Sequence, residues 1–138
     1  MWKKGLGINV TTNKQEWKVY LNSMTSLNYD VVRAGWIADF LDPMNYCECF
    51  TTNNGNNRTG WSNPQYDELE KKARNEIDPK QRFAYMQDAE KLLLSQTPII
   101  PIYTYRQRYL INPELQGCDG NILGYMNYKY MSVTRNKS

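Results

Sequence analysis

The 138-residue chain contains 41% hydrophobic and 22% charged residues, a composition typical of one ordinary globular domain rather than of a disordered or fibrous protein. Its formal charge of +3 comes from 17 basic and 14 acidic side chains spread along the chain, and the absence of a clustered Lys/Arg stripe argues against nucleic-acid binding. The apolar runs are far shorter than the roughly 20 residues of a membrane-spanning helix, so no such helix is expected.

A strand, a helix and a second strand are predicted at the start of the chain. Leu6 to Thr12 alternates apolar and polar residues, which is typical of a short strand. The apolar spacing between Gln15 and Ser26 indicates a helix, and the nearly continuous apolar run from Tyr29 to Ile37 is typical of a buried strand. This order predicts a right-handed βαβ unit with a parallel pair of strands.

Helices are predicted through the middle of the chain. Asp42-Pro43 is a turn and helix-start signal, so a short helix is expected up to about Phe50. Thr51 to Asn63 is dominated by Asn, Thr and Gly and is predicted to be a loop. Asn63-Pro64 and Asp78-Pro79 each supply an N-cap followed by proline at the first helical position, which predicts two longer helices.

The two longer helices have further sequence support. Glu68 and Lys72 form an i,i+4 pair in the first helix, and Gln81 stands at the capping-box position of the second. The spacing of apolar residues predicts that the buried face of the second helix consists of Phe83, Met86, Ala89, Leu92 and Leu93.

The remaining chain is predicted to be extended and then irregular. Thr97 to Tyr105 is rich in Ile and Tyr and carries two prolines, which indicates an extended segment at a sheet edge or between lobes. From Asn112 onward, glycines and alternating tyrosines predict loops and a short strand.

The histidine and cysteine content argues against catalysis. The chain has no histidine, which removes the commonest general base, the commonest metal ligand and the usual partner of a nucleophilic Ser or Cys. An enzyme using Cys47 or Cys49 with Asp42 is therefore disfavoured. The three cysteines, which include Cys118, are expected to be small buried residues; a redox or metal site, or a disulfide to Cys118 in an exported protein, is the alternative. No cofactor is expected.

A family resemblance is carried by the run Asp30 to Phe40 (DVVRAGWIADF) and the following Asp42-Pro43. This run resembles the central ligand-contacting strand of the oligopeptide-binding proteins, the peptide and nickel solute-binding family of ABC importers. Further segments match in family order: Leu6 to Val10, Gln15 to Lys18, Asn56 to Trp61, Ser62 to Asp67 and Pro98 to Tyr103. The resemblance implies an α/β fold, namely an incomplete periplasmic-binding-protein-like lobe with a mixed sheet and flanking helices.

The resemblance also implies that the chain is a C-terminal fragment of a longer two-lobed protein. The first residues lack the apolar segment and cleavage site of a signal peptide, which agrees with an internal start. Residues 1–105 are expected to form part of the C-terminal ligand-binding lobe, and residues 106–138 the crossover and a tail that would complete the other, missing lobe. The implied location is periplasmic or at the cell surface. The implied partners are an oligopeptide ligand and the membrane permease of an ABC importer, with no nucleic acid.

Two charged residues are implied to contact the ligand. By resemblance, Asp39 is the carboxylate that pairs with the α-ammonium group of the peptide. From the residue alone, a cap of the following turn is equally compatible. Arg33 lies in an apolar run, where a buried guanidinium needs a carboxylate or carbonyl partner. The family reading places Arg33 near the peptide C-terminus, and a structural salt bridge is the alternative.

Aromatic and main-chain groups complete the expected site. The strand from Trp36 to Phe40, which includes Ile37 and Ala38, could supply the edge to which a peptide adds as an extra strand. Trp17 and Trp36 are candidate walls of side-chain pockets, with ordinary core packing as the alternative. Tyr105 could also touch the ligand.

The predicted function is therefore the solute-binding component of an ABC transporter that binds oligopeptides. Receptors for dipeptides, nickel or another solute of the same family are near alternatives, although retention of Asp39 favours a ligand with a free amine. A truncated remnant that no longer binds solute is a further alternative. Met24 replaces a basic residue that some relatives carry on the first helix, which leaves recognition of the peptide C-terminus open.

Overall fold

The computed structural model describes residues 1–134, which fall into two units, the first Met1–Ala34 and the second beginning at Gly35. The helices and strands are α1 (Trp2–Leu6), α2 (Trp17–Thr25), α3 (Met44–Cys47), α4 (Pro64–Asn75), α5 (Pro79–Gln96), β1 (Leu115–Gln116) and β2 (Ser132–Val133). Short 3-10 turns follow α3 at Glu48–Phe50 and precede β2 at Tyr128–Tyr130.

The first unit contains the two short helices α1 and α2. Gly7 ends α1 in the left-handed conformation, with φ of 71°, which glycine adopts without strain. The Glu16 side chain caps α2 by accepting a hydrogen bond of 2.8 Å from the backbone N–H of Lys18. The helix predicted between Gln15 and Ser26 is thus confirmed, with Ser23 and Met24 buried.

Helices α4 and α5 form the main packed pair of the second unit. The carboxamide of Asn63 accepts from the backbone N–H of Gln65 at 2.9 Å, and Asp78 likewise accepts from Gln81 at 3.2 Å. Each helix then begins with a proline, whose missing N–H would have no intrahelical partner there. Both predicted helix starts are confirmed, as are the short helix after Asp42-Pro43 and the loop that follows it.

The core of the second unit is formed by two small clusters between α3, α4 and α5. In the first, Met44 of α3 packs with Ala73 and Met86. In the second, Tyr66 packs with Ala89 and Leu93, and its hydroxyl donates to the Cys47 carbonyl at 2.7 Å. These contacts attach α3 to the pair of helices α4 and α5, and this anchors the chain segments that precede and follow α3.

One predicted member of the buried face of α5 is wrong. Phe83 is about half exposed, whereas Met86, Ala89 and Leu93 are buried as predicted, with Leu92 partly buried against them. The inward position one turn before Met86 is occupied by Arg82, whose guanidinium pairs with Asp42. The face therefore follows the series 82, 86, 89 and 93, which turns Phe83 towards solvent.

The predicted parallel strand pair is also wrong. Residues 8–16 and 28–38 carry no regular secondary structure, and the ladder found within residues 1–134 is antiparallel, pairing Leu115 with Val133 and Gln116 with Ser132. A β-strand requires a neighbouring strand with which it forms backbone hydrogen bonds, and no described segment pairs in this way with residues 8–16 or 28–38. The short strand predicted in the tail is confirmed as β1 and β2. Residues 135–138, the end of the predicted 106–138 crossover and tail, lie outside the described part.

Candidate functional site

The Asp39 carboxylate lies on an exposed, irregular segment immediately before α3. Among residues 1–134, none donates a hydrogen bond to this carboxylate or forms an ion pair with it. The capping role considered for Asp39 belongs instead to Asp42, whose Oδ1 accepts from the backbone N–H of Met44 at 2.8 Å. The Asp39 carboxylate is therefore accessible and makes no hydrogen bond or ion pair that stabilises the described chain.

The main chain next to Asp39 is also available for binding. Ile37 is 73% exposed and Ala38 partly so. The backbone N–H and C=O groups of these two residues form no hydrogen bond with any other residue in the described range. Unpaired main-chain groups on an extended segment can receive another chain as an added strand.

Asn45 binds residues 36–39 through hydrogen bonds of its side chain. Its side chain is almost fully buried, with 1% relative exposure, in the first turn of α3. The Oδ1 atom accepts two hydrogen bonds, one of 2.8 Å from the indole N–H of Trp36 and one of 3.2 Å from the backbone N–H of Asp39. Both residues are thereby attached to the helical core through one amide.

An ion pair between Asp42 and Arg82 anchors the chain just before α3. The Asp42 carboxylate receives two hydrogen bonds from Arg82, at 2.9 and 3.0 Å, and Arg82 Nε donates to the Ala73 carbonyl at 3.2 Å. The bidentate contact with Arg82 holds the pKa of Asp42 below its usual range, which outweighs the opposing effect of burial. The Asp42 carboxylate thus stabilises the fold through these contacts, whereas the Asp39 carboxylate makes none within the described residues.

Tyr105 lies beside the same segment. A Cβ atom built on Gly35 would be 3.7 Å from Cε2 of Tyr105, so the ring rests over the backbone just before Trp36. The Tyr105 ring also meets Tyr103 edge to face, with ring centroids 4.9 Å apart. Trp36, Asp39 and Tyr105, all named from the sequence, therefore belong to one part of the second unit.

Trp17 and Arg33 belong to the first unit, where Tyr20 joins them. The Trp17 and Tyr20 rings lie 5.2 Å apart, and the Tyr20 hydroxyl donates to the Arg33 carbonyl at 2.9 Å. Trp17 is 66% exposed, so it is not a core residue of this unit. The expectation that Arg33 is buried is wrong, because the segment is not a strand within a sheet and its side chain is exposed.

Cys47 and Cys49 do not provide an activated thiol. All three are free, with Cys49 buried, as expected, and Cys47 and Cys118 partly buried. Burial, reinforced by nearby carboxylates, raises the pKa of Cys47 to about 11, and burial likewise raises the pKa of Cys49 to about 11. Their neighbour Asp42 is engaged by Arg82, so it is not free to act as a base. No group of three or more metal-ligating side chains occurs in the described residues.

Comparison with known proteins finds a likeness to one family. The model for the bacterial extracellular solute-binding proteins, family 5 (middle region), matches residues 1–58, which include the Asp39 segment and α3. Residues 1–58 are therefore similar to this family. The family-5 match thus covers the part of the chain in which Asp39, Trp36 and Asn45 lie.

Two curated relatives illustrate the range of the family. The dipeptide-binding protein DppE of Bacillus subtilis is 40% identical over 128 residues, which are 93% of this chain and 24% of that protein. The periplasmic murein peptide-binding protein MppA of Escherichia coli is 41% identical over 117 residues, 85% of this chain and 22% of that protein. The chain thus spans about a quarter of the length of the curated relatives it matches.

Solved structures show the same fold. The structure of the Escherichia coli murein tripeptide binding protein MppA matches 98% of this chain with a TM-score of 0.89 and 36% identity, and the match is 27% of that chain. The expected fold class, a partial periplasmic-binding-protein-like lobe of mixed helices and strands, is confirmed by this likeness. None of the helices within residues 1–134 has the length and apolar character needed to cross a membrane.

Two residues of this region were missed by sequence reasoning, Asn45 and Arg82. Asn45 is the polar residue of the run Met44 to Cys47, and a polar side chain among apolar neighbours signals a buried hydrogen-bonding role. Arg82 stands four residues before Met86, on the apolar stripe of α5. A charge on a buried stripe signals an ion pair.

Proposed function

We propose that the chain is part of an extracytoplasmic peptide receptor of an ABC importer and that Asp39 binds the amino terminus of the peptide. The observation that carries the proposal is the exposed Asp39 carboxylate, which no described residue engages. A carboxylate pairing with an α-ammonium group forms a charge-assisted hydrogen bond, which contributes about 1.5 to 3 kcal/mol. The peptides named for the relatives, from dipeptides to oligopeptides and murein peptide, support this class of ligand.

Peptides of different sequence share only their backbone and their charged ends. A receptor that accepts many sequences must therefore bind these common groups. The unpaired main-chain groups of Ile37 and Ala38, directly before Asp39, support binding of the peptide as an added strand. In such a complex the peptide side chains point alternately to either side, where roomy pockets accept them.

Aromatic residues are proposed as walls of these pockets. Trp36, with 39% exposure, and Tyr105 both present ring surface near the Asp39 segment. Trp17 and Arg33 are proposed as further ligand contacts, Arg33 near the peptide C-terminus. Large rigid rings suit this task because they bury much area with little loss of side-chain freedom.

The whole receptor is proposed to act outside the cytoplasm, in the periplasm or at the cell surface, and to deliver peptide to the membrane permease of the importer. In it, residues 1–105 are proposed to belong to the ligand-binding lobe, and residues 106–138 to the crossover and tail. Names of relatives as periplasmic binding proteins support the location.

The proposal is tested in a chimaera in which this whole chain replaces the matching 128 residues of the Bacillus subtilis dipeptide-binding protein. Calorimetry with di-, tri- and tetra-alanine, each with a free or an acetylated amino terminus, measures the contribution of the ammonium group. We expect the free forms to bind and acetylation to weaken binding by about 10- to 100-fold, the equivalent of one charge-assisted hydrogen bond.

The variant Asp39→Asn removes the charge at constant shape and should abolish this difference between free and acetylated peptides. The matched control is Asp88→Asn, which removes an exposed carboxylate from α5 and should leave the difference unchanged. If no free peptide binds, or if Asp39→Asn retains the full difference, the proposed function is wrong.

A further inference from the structure

We propose that Asn45 is a positioning residue for the ligand-binding carboxylate, so that its buried amide sets the direction in which Asp39 meets the peptide. This inference rests on the proposed function of Asp39. It is carried by one juxtaposition: the Oδ1 atom of Asn45 accepts both the indole N–H of Trp36, at 2.8 Å, and the backbone N–H of Asp39, at 3.2 Å.

The orientation of the Asn45 amide is fixed by Glu48. The Nδ2 group of Asn45 faces Glu48 Oε1 at 3.5 Å, and an ionised carboxylate can only accept hydrogen bonds. The NH2 end of the amide therefore points to Glu48, which leaves the oxygen end for the two donors above it. A flipped amide would place two acceptors together and two pairs of donors together.

Glu48 is itself held in place by α4. Arg74 donates from Nη2 to Glu48 Oε2 at 3.3 Å and from Nε to Glu70 Oε1 at 3.1 Å. Glu70 is buried, which restricts the position of the guanidinium. The hydrogen bonds thus run without a gap from the Asp39 backbone through Asn45, Glu48 and Arg74 to Glu70.

The Asn45 amide connects the helical core to the irregular segment of residues 36–39. Asn45 follows Met44, which packs in the core with Ala73 and Met86. No ladder holds residues 36–39 within the described chain, and no other side chain of the described residues accepts from the Asp39 backbone. A shift of the Asp39 backbone moves the Asp39 carboxylate by a similar amount. The position of this carboxylate therefore depends on the Asn45 amide.

A purely structural role for Asn45 makes a different prediction. A buried asparagine that only stabilises the fold would, when replaced, weaken binding of free and acetylated peptides equally. A positioning residue would reduce the preference for the free amino terminus, because only that preference depends on Asp39. The ratio of the two affinities therefore separates the roles.

The variants are Asn45→Leu, which keeps the size of the side chain, and Asn45→Ala, which removes it, both in the chimaera described above. We expect the ratio of affinities for free and acetylated trialanine to fall on the order of tenfold in both variants, the scale on which loss of an outer hydrogen-bonding partner weakens a site. The matched control is Asn57→Ala. The Asn57 amide donates to the Phe50, Thr51 and Trp61 carbonyls, so this variant should lower stability and leave the ratio unchanged.

A second measurement needs no ligand and uses the same chimaera, because the 138-residue chain alone is expected to self-associate. In Asn45→Leu, the indole N–H of Trp36 should exchange faster with water and shift in the ¹⁵N spectrum. The indole N–H of Trp61 donates to Gln96 Oε1 at 2.8 Å and serves as the internal reference that should not move.

The outcomes separate this inference from the proposed function. If Asp39→Asn abolishes the ratio while both Asn45 variants keep it, Asp39 binds the amino terminus and the positioning role is wrong. If Asp39→Asn keeps the ratio, the proposed function fails and the inference fails with it. An unchanged Trp36 indole signal in Asn45→Leu would also overturn the inference, because the amide would then hold nothing.

Discussion

Asp42 and Arg82 are joined by a bidentate ion pair between the start of α3 and the first turns of α5. The variant Asp42→Asn should lower the free energy of unfolding at pH 7 by about 1 to 2 kcal/mol, a hydrogen bond to a charged group reduced for partial exposure. Arg82 lowers the pKa of folded Asp42, so its stabilisation is complete above the unfolded carboxyl pKa of about 3.9 and is lost as pH falls through the lower folded value. Urea titrations followed by circular dichroism at pH 7 and pH 2.5 should show the difference at pH 7 and a smaller one at pH 2.5.

The control for this pair is Asp88→Asn, whose partner Lys91 and carboxylate are both well exposed. An exposed pair contributes little, so this variant should change the unfolding free energy by less than about 0.5 kcal/mol at either pH. A pH-independent loss in Asp42→Asn would contradict the charge-based explanation and would point to packing instead.

The thiols of Cys47 and Cys49 are a second prediction at the scale of single residues. Burial raises the pKa of each to about 11, from an ordinary value of 9.0, and the thiolate is the reactive form. In a Cys118→Ser background, iodoacetamide at pH 8 should therefore modify the folded chain on the order of 100-fold more slowly than the chain in 8 M urea. Mass spectrometry of quenched samples gives both rates. Equal rates would show that neither thiol is shielded.

The proposed role of Asp39 could be predicted from the sequence, but that of Asn45 could not. The run Asp30 to Phe40 is distinctive by itself, so a family resemblance locates Asp39 without coordinates. The role proposed for Asn45 rests on its hydrogen bonds with Trp36 and Glu48, and the sequence alone does not show these contacts. Spacing along the chain does not specify which donors lie near a given amide oxygen in the folded structure.

The helices could be predicted because their signals are local. Asn63-Pro64 and Asp78-Pro79 place a capping acceptor and a proline within two residues, and the structure uses both as expected. Strands depend on a partner elsewhere in the chain or in another chain, and an apolar run does not name that partner. The run from Tyr29 to Ile37 therefore has strand-like composition but forms no ladder within the described residues.

The β1–β2 ladder provides a prediction at the scale of an element. Gly117 follows β1 with φ of 72°, and a Cβ atom there would overlap the carbonyl oxygen of Tyr130. Gly117→Ala should therefore separate the two strands and expose the Thr134 N–H, which donates to the Glu114 carbonyl at 2.9 Å. Hydrogen exchange at this amide should accelerate by more than tenfold relative to the unaltered chain, since the ladder would open more often.

The matched control lies three residues further on. A Cβ atom on Gly120 meets nothing within 4 Å, and its φ is not in the left-handed region. Gly120→Ala should leave the exchange of the Thr134 amide unchanged. If both variants behave alike, the loss of glycine flexibility, rather than the overlap with Tyr130, determines the result.

At the scale of the whole molecule, the chain combines a firm helical core with long exposed segments. The packed clusters lie between α3, α4 and α5, whereas residues 101–111 carry no regular secondary structure and are exposed throughout. This distribution agrees with a chain that spans about a quarter of its relatives. A family resemblance predicted the class of fold, because the class depends on the order of segments rather than on individual strand pairs.

Exposed apolar residues are unusually frequent for a soluble monomer, and they include Ile37, Leu41, Ile100 and Ile102. We expect the isolated chain to self-associate, with a mass by light scattering above the 16.3 kDa of one chain at about 50 μM. Ile102→Lys should reduce this association, because it places a charge in the apolar run 99–103. Ile77→Lys, which changes an exposed isoleucine in the turn between α4 and α5, should not reduce it. A monomeric mass at all concentrations would contradict the prediction, since the exposed apolar run would then not drive association.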